Sequence, residues 1–181
     1  TATSGTTSGS GTSKSYTAKY NADAGFSIIS YLGNGTAGHT IPHHLSKAPE
    51  LIIVKNRDYN GTEWAVGTEQ SLASVDWTDV LYLDQNTAGS DWNLWDDTAP
   101  TSSVFSVHSY AATNDNDDNI IAYCFHSVEG YSKIGSYYGN NDADGPFIYT
   151  GFRPKFVLCR VINAADGWQL QDAVRSPITQ N

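Results

Sequence analysis

A chain of 181 residues is long enough for one domain with a proper core, since about 70% of the unfolded surface is buried at this size without a disulfide or metal staple. Ten basic residues stand against nineteen acidic ones, a formal net charge of −9. That sign repels phosphate backbones and anionic headgroups, so neither nucleic acid nor a membrane surface is an expected partner. No apolar run reaches the eighteen or so residues that would insert into a bilayer.

The first fifteen residues, TATSGTTSGSGTSKS, contain almost only Thr, Ser and Gly. Such a composition buries little surface, so residues 1–20 read as a linker or docking tail, pinned against another copy or a scaffold. From Gly25 onward, short apolar runs alternate with turn clusters. ELIIVK (50–55) predicts a strand covered on both faces. TEWAVG, DVLYLD, SSVFSVHSY, NIIAYCFHS, GPFIYTG and KFVLCRV predict further strands, and NRDYNG, DQNTAGSD, DDTAPTS, ATNDNDDN and GNNDADG the turns between them. Only EQSLASVDW (69–77) suggests a helical turn. The expected fold class is all-β, an antiparallel β-sandwich of jelly-roll or lectin-like type with little helix.

Cys124 and Cys159 each sit inside an apolar run and read as buried thiols, with a disulfide as the alternative. The chain contains no Met at all, including at position 1, which reads as a processed product or a piece of a longer polypeptide.

One sentence is written twice, about 105 positions apart. Gly25-Phe26-Ser27 matches Gly130-Tyr131-Ser132, and Ser30-Tyr31 with Gly33-Asn34 matches Ser136-Tyr137 with Gly139-Asn140. Pro49 falls opposite Pro154, LIIVK (51–55) opposite FVLCR (156–160), and Trp64 opposite Trp168. Apolar character is kept while identity drifts, and Gly-Asn is kept where a positive φ is expected. Two units make no solenoid. They predict a single sandwich over residues 21–181 with two related halves, about 25–68 and 130–172, in which Trp64 and Trp168 are core residues.

These residues carry a resemblance. TAPTSSVFSV (98–107) and NIIAYCFHSVEGYSKIGSYYGNNDADGPFIYTGFRPKFVLCR (119–160), together with GFSIISYLGNGTAG and HHLSKAPELIIVKNRD in the first copy, are similar to a repeated β-rich module. That module occurs in virion-associated and tail-fibre-like proteins of marine tailed phages, cyanophages among them. The similarity covers about residues 25–170. It implies a virion structural protein displayed on the particle surface, as a fibre or decoration module. Its implied partners are other virion proteins and copies of itself, and it supplies no catalytic residues.

The residues offer few chemical constellations. HTIPHH brings His39, His43 and His44 together, but Gly38 and Pro42 argue against the helix on which such spacing holds zinc. NNDADG (140–145) follows the first half of a calcium loop, but its twelfth position is Gly151 where a bidentate Glu belongs. NDNDDN (114–119) is a second oxygen-rich loop. Asp142, Asp144, Asp115 and Asp117 are therefore the calcium candidates, against plain turn capping by Asx hydrogen bonds; no other cofactor is expected. No carboxylate pair stands out in an apolar setting, and there is no nucleophile elbow or phosphate loop, so an enzyme is not expected.

The strongest hint is aromatic. DWNLWDD (91–97) and SYYGNNDAD (136–144) place rings beside acids and amides, the mixture from which carbohydrate sites are built. Trp92, Trp95, Tyr137 and Tyr138 are the glycan-binding candidates. The expected function is a virion surface module that contacts host-surface carbohydrate. The alternatives are a purely architectural component with no ligand and a glycan-degrading fragment.

Overall fold

The computed structural model describes residues 1–70 and 75–175. In chain order the strands are β1 (Ala2–Thr6), β2 (Ser8–Gly9), β3 (Ser15–Asn21), β4 (Phe26–Leu32), β5 (His39–Pro42), β6 (Leu51–Asn56) and β7 (Ala65–Thr68). There follow β8 (Asp79–Tyr82), β9 (Ser90–Asp91), β10 (Val104–Val107), one helical turn α1 (Ala111–Asn114), β11 (Asn119–Phe125), β12 (Phe156–Cys159) and β13 (Gln169–Asp172). The helical turn expected over 69–77 falls mostly on 71–74, outside the described residues; Gln70 and Val75 on either side form an antiparallel bridge.

The architecture is the all-β, antiparallel one expected. A large sheet runs β1-β3-β4-β11-β6-β7-β8-β9, faced by a small sheet β10-β5-β2. Period-2 alternation decides which side chains enter the core. On β4 the buried residues are Ser27, Ile29 and Tyr31; on β6, Ile52, Val54 and Asn56; on β11, Ile120, Ala122 and Cys124. The small sheet contributes Ile41, Phe105 and Val107, and Tyr31 meets Phe105 edge-on across the two sheets. ELIIVK is therefore buried on one face only, with Leu51, Ile53 and Lys55 half-buried on the other.

Trp95 corrects the reading of DWNLWDD as a loop with two surface rings. Its indole is 1% exposed and packs edge-to-face on Trp77 at 5.9 Å. A loop side chain thus fills the space that strands leave open above β7, where Gly67 makes room for both rings. Gly33 also has a different reason from the expected one. It has no positive φ; instead, a Cβ there would lie 2.0 Å from the Asp115 carbonyl oxygen.

The Ser/Thr/Gly tail is strand rather than tether. β1 pairs with β3 over five residues, and β2 pairs with β5. The crossing between them is fixed at buried Thr7, whose hydroxyl donates to Lys14 O at 3.1 Å and accepts from Lys14 N at 2.8 Å. Asn34 adds bonds from its side-chain amide to Ser10 O and Thr12 O, and Lys14 pairs with Asp117. A segment with few apolar side chains is ordered here because its backbone completes the edge of two sheets.

The repeat is real in one place and broken in another. The β6–β7 hairpin pairs Leu51 with Thr68 and Val54 with Ala65; β12–β13 pairs Phe156 with Asp172 and Cys159 with Gln169, in the same relative register. Before that hairpin the two copies diverge. In the first copy β3 turns through Ala22–Gly25 into β4. At the same offset β11 precedes Gly130, and the chain does turn, with the Tyr131 and Ser132 amides donating to Val128 O.

β11, however, already pairs with β4 on one edge and β6 on the other. The strand that should follow Gly130 has no vacant edge to join, and residues 133–155 form no strand. No described residue from 129 to 175 is buried. The expected second half is an arm, held at its far end by the β12–β13 hairpin.

Both cysteines are free thiols, Cys124 in the core and Cys159 half-buried on the arm. Burial pushes the Cys124 thiol well above its ordinary value. Alkylation of the native protein should therefore label Cys159 alone, and both thiols only after denaturation, as read by intact mass. Rapid native labelling of Cys124 would contradict its placement in the core.

Candidate functional site

Where the arm's hairpin meets the loop after β8, an open cleft of about 510 Å³ is lined by Leu83, Asp84, Gln85, Asn86, Gly167 and Trp168. Trp168 is half-buried, and its indole Nε1 donates to Tyr82 O at 2.8 Å. Arg160 places its guanidinium 5.3 Å from the Trp168 ring centre while donating to Tyr82 O at 3.0 Å and to Thr87 O. The Gly89 amide donates to Ile162 O at 2.9 Å, tying the same hairpin to β9's approach. These bonds hold the ring rigidly, which matters because a stacking surface that must first be ordered loses affinity.

The polar groups of the cleft are held as firmly. Asp84 Oδ1 accepts from the Trp64 amide at 3.1 Å, and Gln85 Nε2 donates to Glu63 Oε1 at 2.9 Å. The side chains of Asp84, Gln85 and Asn86 line the cleft. The Tyr82 phenol is raised above its ordinary range, first by burial and then by the carboxylates of Glu63 and Asp84. Asp84 thus places one carboxylate in the cleft lining, and the Arg160 guanidinium lies against the Trp168 ring beside it. Arg160 is lowered by burial, with Asp166 opposing the shift.

Neither Trp168 nor its counterpart Trp64 is a core residue. Both are half-buried, and Trp64 stacks on Tyr123 at 6.4 Å. Matching the two across the repeat correctly signals equivalent positions, but the position lies on the outer side of a hairpin. Trp168 was the functional candidate that pattern reasoning missed; the signal available was its place at the end of the polar turn INAADG, next to Gly167.

The residues singled out by sequence fall in three places. Trp92 is 49% exposed and meets Tyr110 edge-on at 5.9 Å, with Tyr110 packed on His108 at 5.0 Å. Trp95, its presumed companion, is in the core and presents no face to solvent. Tyr137 and Tyr138 are exposed on the arm, away from any strand.

The acidic loops close on themselves. Asn140 Oδ1 accepts from the Asp142 amide, Asp142 Oδ1 from the Asp144 amide, and Asn140 Nδ2 donates back to Asp144 O. Asp117 has a positive φ of 66° and pairs with Lys14, which holds its carboxyl below the usual range. Asp115 Oδ1 accepts from the Asn116 amide. Among the described residues no three His, Cys, Asp or Glu side chains converge as a metal-binding group. The histidines are dispersed likewise: His39 and His43 are buried in separate hydrogen-bond sets, while His44 stacks on Tyr20.

Fold and cleft together define an all-β sandwich domain with a Trp-floored, polar cleft on its edge. The chain belongs to the family described as a domain of unknown function, DUF7483, whose model matches residues 1–181. No curated protein and no solved structure matches it. Among the described residues no helix is long and apolar enough to cross a membrane.

Proposed function

We propose that this domain is a surface module of a virion, a fibre or decoration component, that contacts host-surface glycans through the Trp168 cleft. The observation that carries the binding reading is the cleft itself: a rigid indole face beside one carboxylate and two carboxamides. An indole offers stacking surface for the C–H face of a pyranose, and Asp, Gln and Asn supply directional bonds to adjacent hydroxyls. The cleft's one carboxylate, Asp84, is offset by the Arg160 guanidinium against Trp168, so the ligand class is a neutral or N-acetylated amino sugar rather than a charged one. The viral setting rests on the similarity of residues 25–170 to the phage module. Weak binding by one copy suffices where many copies on a particle act together.

A glycan array probed with a multivalent form of the domain tests this. The wild type is expected to bind neutral or N-acetylated amino sugars, Trp168→Ala to lose the signal at least about tenfold, and Trp92→Ala to retain it. Silence of the wild type across the array would leave the architectural role.

A further inference from the structure

We infer that residues 130–175 are a docking arm whose partner is the body of a second copy of this chain. Among the described residues, eleven of the fourteen large hydrophobic side chains left exposed lie on this arm. Phe147 is 89% exposed, Tyr149 79% and Phe156 58%, values that a finished surface rarely shows for aromatic rings.

The repeat states what is missing. β12 is the counterpart of β6, which has β7 on one edge and β11 on the other; β12 has β13 on one edge and, among the described residues, no strand on the other. An open apolar strand edge is a template for pairing with another chain.

Charge selects the occupant. Residues 130–181 carry five of the ten basic and four of the nineteen acidic residues, which leaves this stretch at +1 and residues 1–129 at −10. Two bodies repel each other, whereas an arm meets a body with opposite sign. The body also offers an apolar surface: on the outer face of the large sheet, Phe26, Ile28, Ile53, Ile121, Tyr123 and Phe125 are only half-buried. Arm on body is a head-to-tail contact, which closes into a ring or extends as a filament.

Sedimentation of the full chain over a dilution series tests this at low and at high salt. Self-association is expected, weakening as salt is raised. The variant Phe147→Asp/Tyr149→Asp should weaken it at least about tenfold, as loss of two aromatic anchors does. These rings are exposed and lie outside the cleft, so far-UV circular dichroism and glycan binding by the variant should match wild type. As a check that needs no variant, cross-linking a mixture of ¹⁴N- and ¹⁵N-labelled chains should join Lys133 or Lys155 of one copy to body carboxylates of the other. A monomer at every concentration, association undiminished in the variant, or cross-links only between arm and arm would each overturn the inference.

Discussion

Trp95→Ala should cost about 4 kcal/mol of folding stability, at the upper end for large-to-small core changes. The indole is fully enclosed, and it supports Trp77 edge-to-face. Among the described residues its buried Nε1 has no hydrogen-bond partner, so Trp95→Phe loses area but no bond seen there and should cost far less. The same pocket is intolerant of added volume. In Gly67→Ala the new Cβ would stand 2.6 Å from both Trp77 and Trp95 ring atoms, an overpacking expected to cost about 1–3 kcal/mol. Urea unfolding of the three variants checks the set. A Trp95→Ala domain of near wild-type stability would contradict the burial on which the exclusion of Trp95 from any ligand platform rests.

Acid should loosen the fold through His43. This ring is buried, its Nε2 donates to Thr101 O at 3.1 Å and its Nδ1 accepts from the Leu45 amide at 3.1 Å. Both nitrogens are engaged as a neutral imidazole, and burial lowers the group from 6.5 to about 4. Because the folded value lies below the unfolded one, the unfolded chain binds more protons between these limits. Stability is therefore complete above the unfolded value and falls as pH drops through this window, by about 3 kcal/mol for a gap of this size. His39 and His44 are lowered by burial too and act in the same direction. The urea midpoint measured across mildly acidic pH should fall steadily, and His43→Gln, which keeps a donor toward Thr101 O, should flatten but not abolish the slope. An unchanged slope in that variant would remove His43 from the account.

Much of the fold class was legible because short apolar runs between turn clusters are a local signal. ELIIVK and NIIAYCFHS mark strands, although ELIIVK, expected to be covered on both faces, is buried on one, and the matched hairpins at 51–68 and 156–172 share one register. What failed depended on non-local facts. The second copy follows the first in sequence from Gly130 onward, but no sequence shows that β11 is already paired on both edges. The Ser/Thr/Gly tail lacks apolar residues, yet it is ordered by backbone pairing to β3 and β5, which composition does not reveal. Trp95 sits in a stretch with the chemistry of a loop, and only the gap above Gly67 draws it inward.

The candidate site was less legible for the same reason. Trp168 and the Asp84-Gln85-Asn86 loop are some eighty residues apart, and the bonds from Trp168 and Arg160 to Tyr82 O that join them have no counterpart in local pattern. Trp92, read from the sequence as surface-capable, is exposed, but its neighbours Tyr110 and His108 form a ledge rather than a cleft with carboxamides.

The central claim is that the Trp168 cleft takes a sugar, and indole resonances test it most directly. The chain has five Trp residues and so five indole N–H signals in a ¹H–¹⁵N spectrum. Titration with the neutral or N-acetylated amino sugar that scores highest on the array should shift the Trp168 signal progressively and leave that of buried Trp95 in place. A shift confined to Trp92, or five unmoved signals at saturating sugar, would contradict the cleft as the binding site.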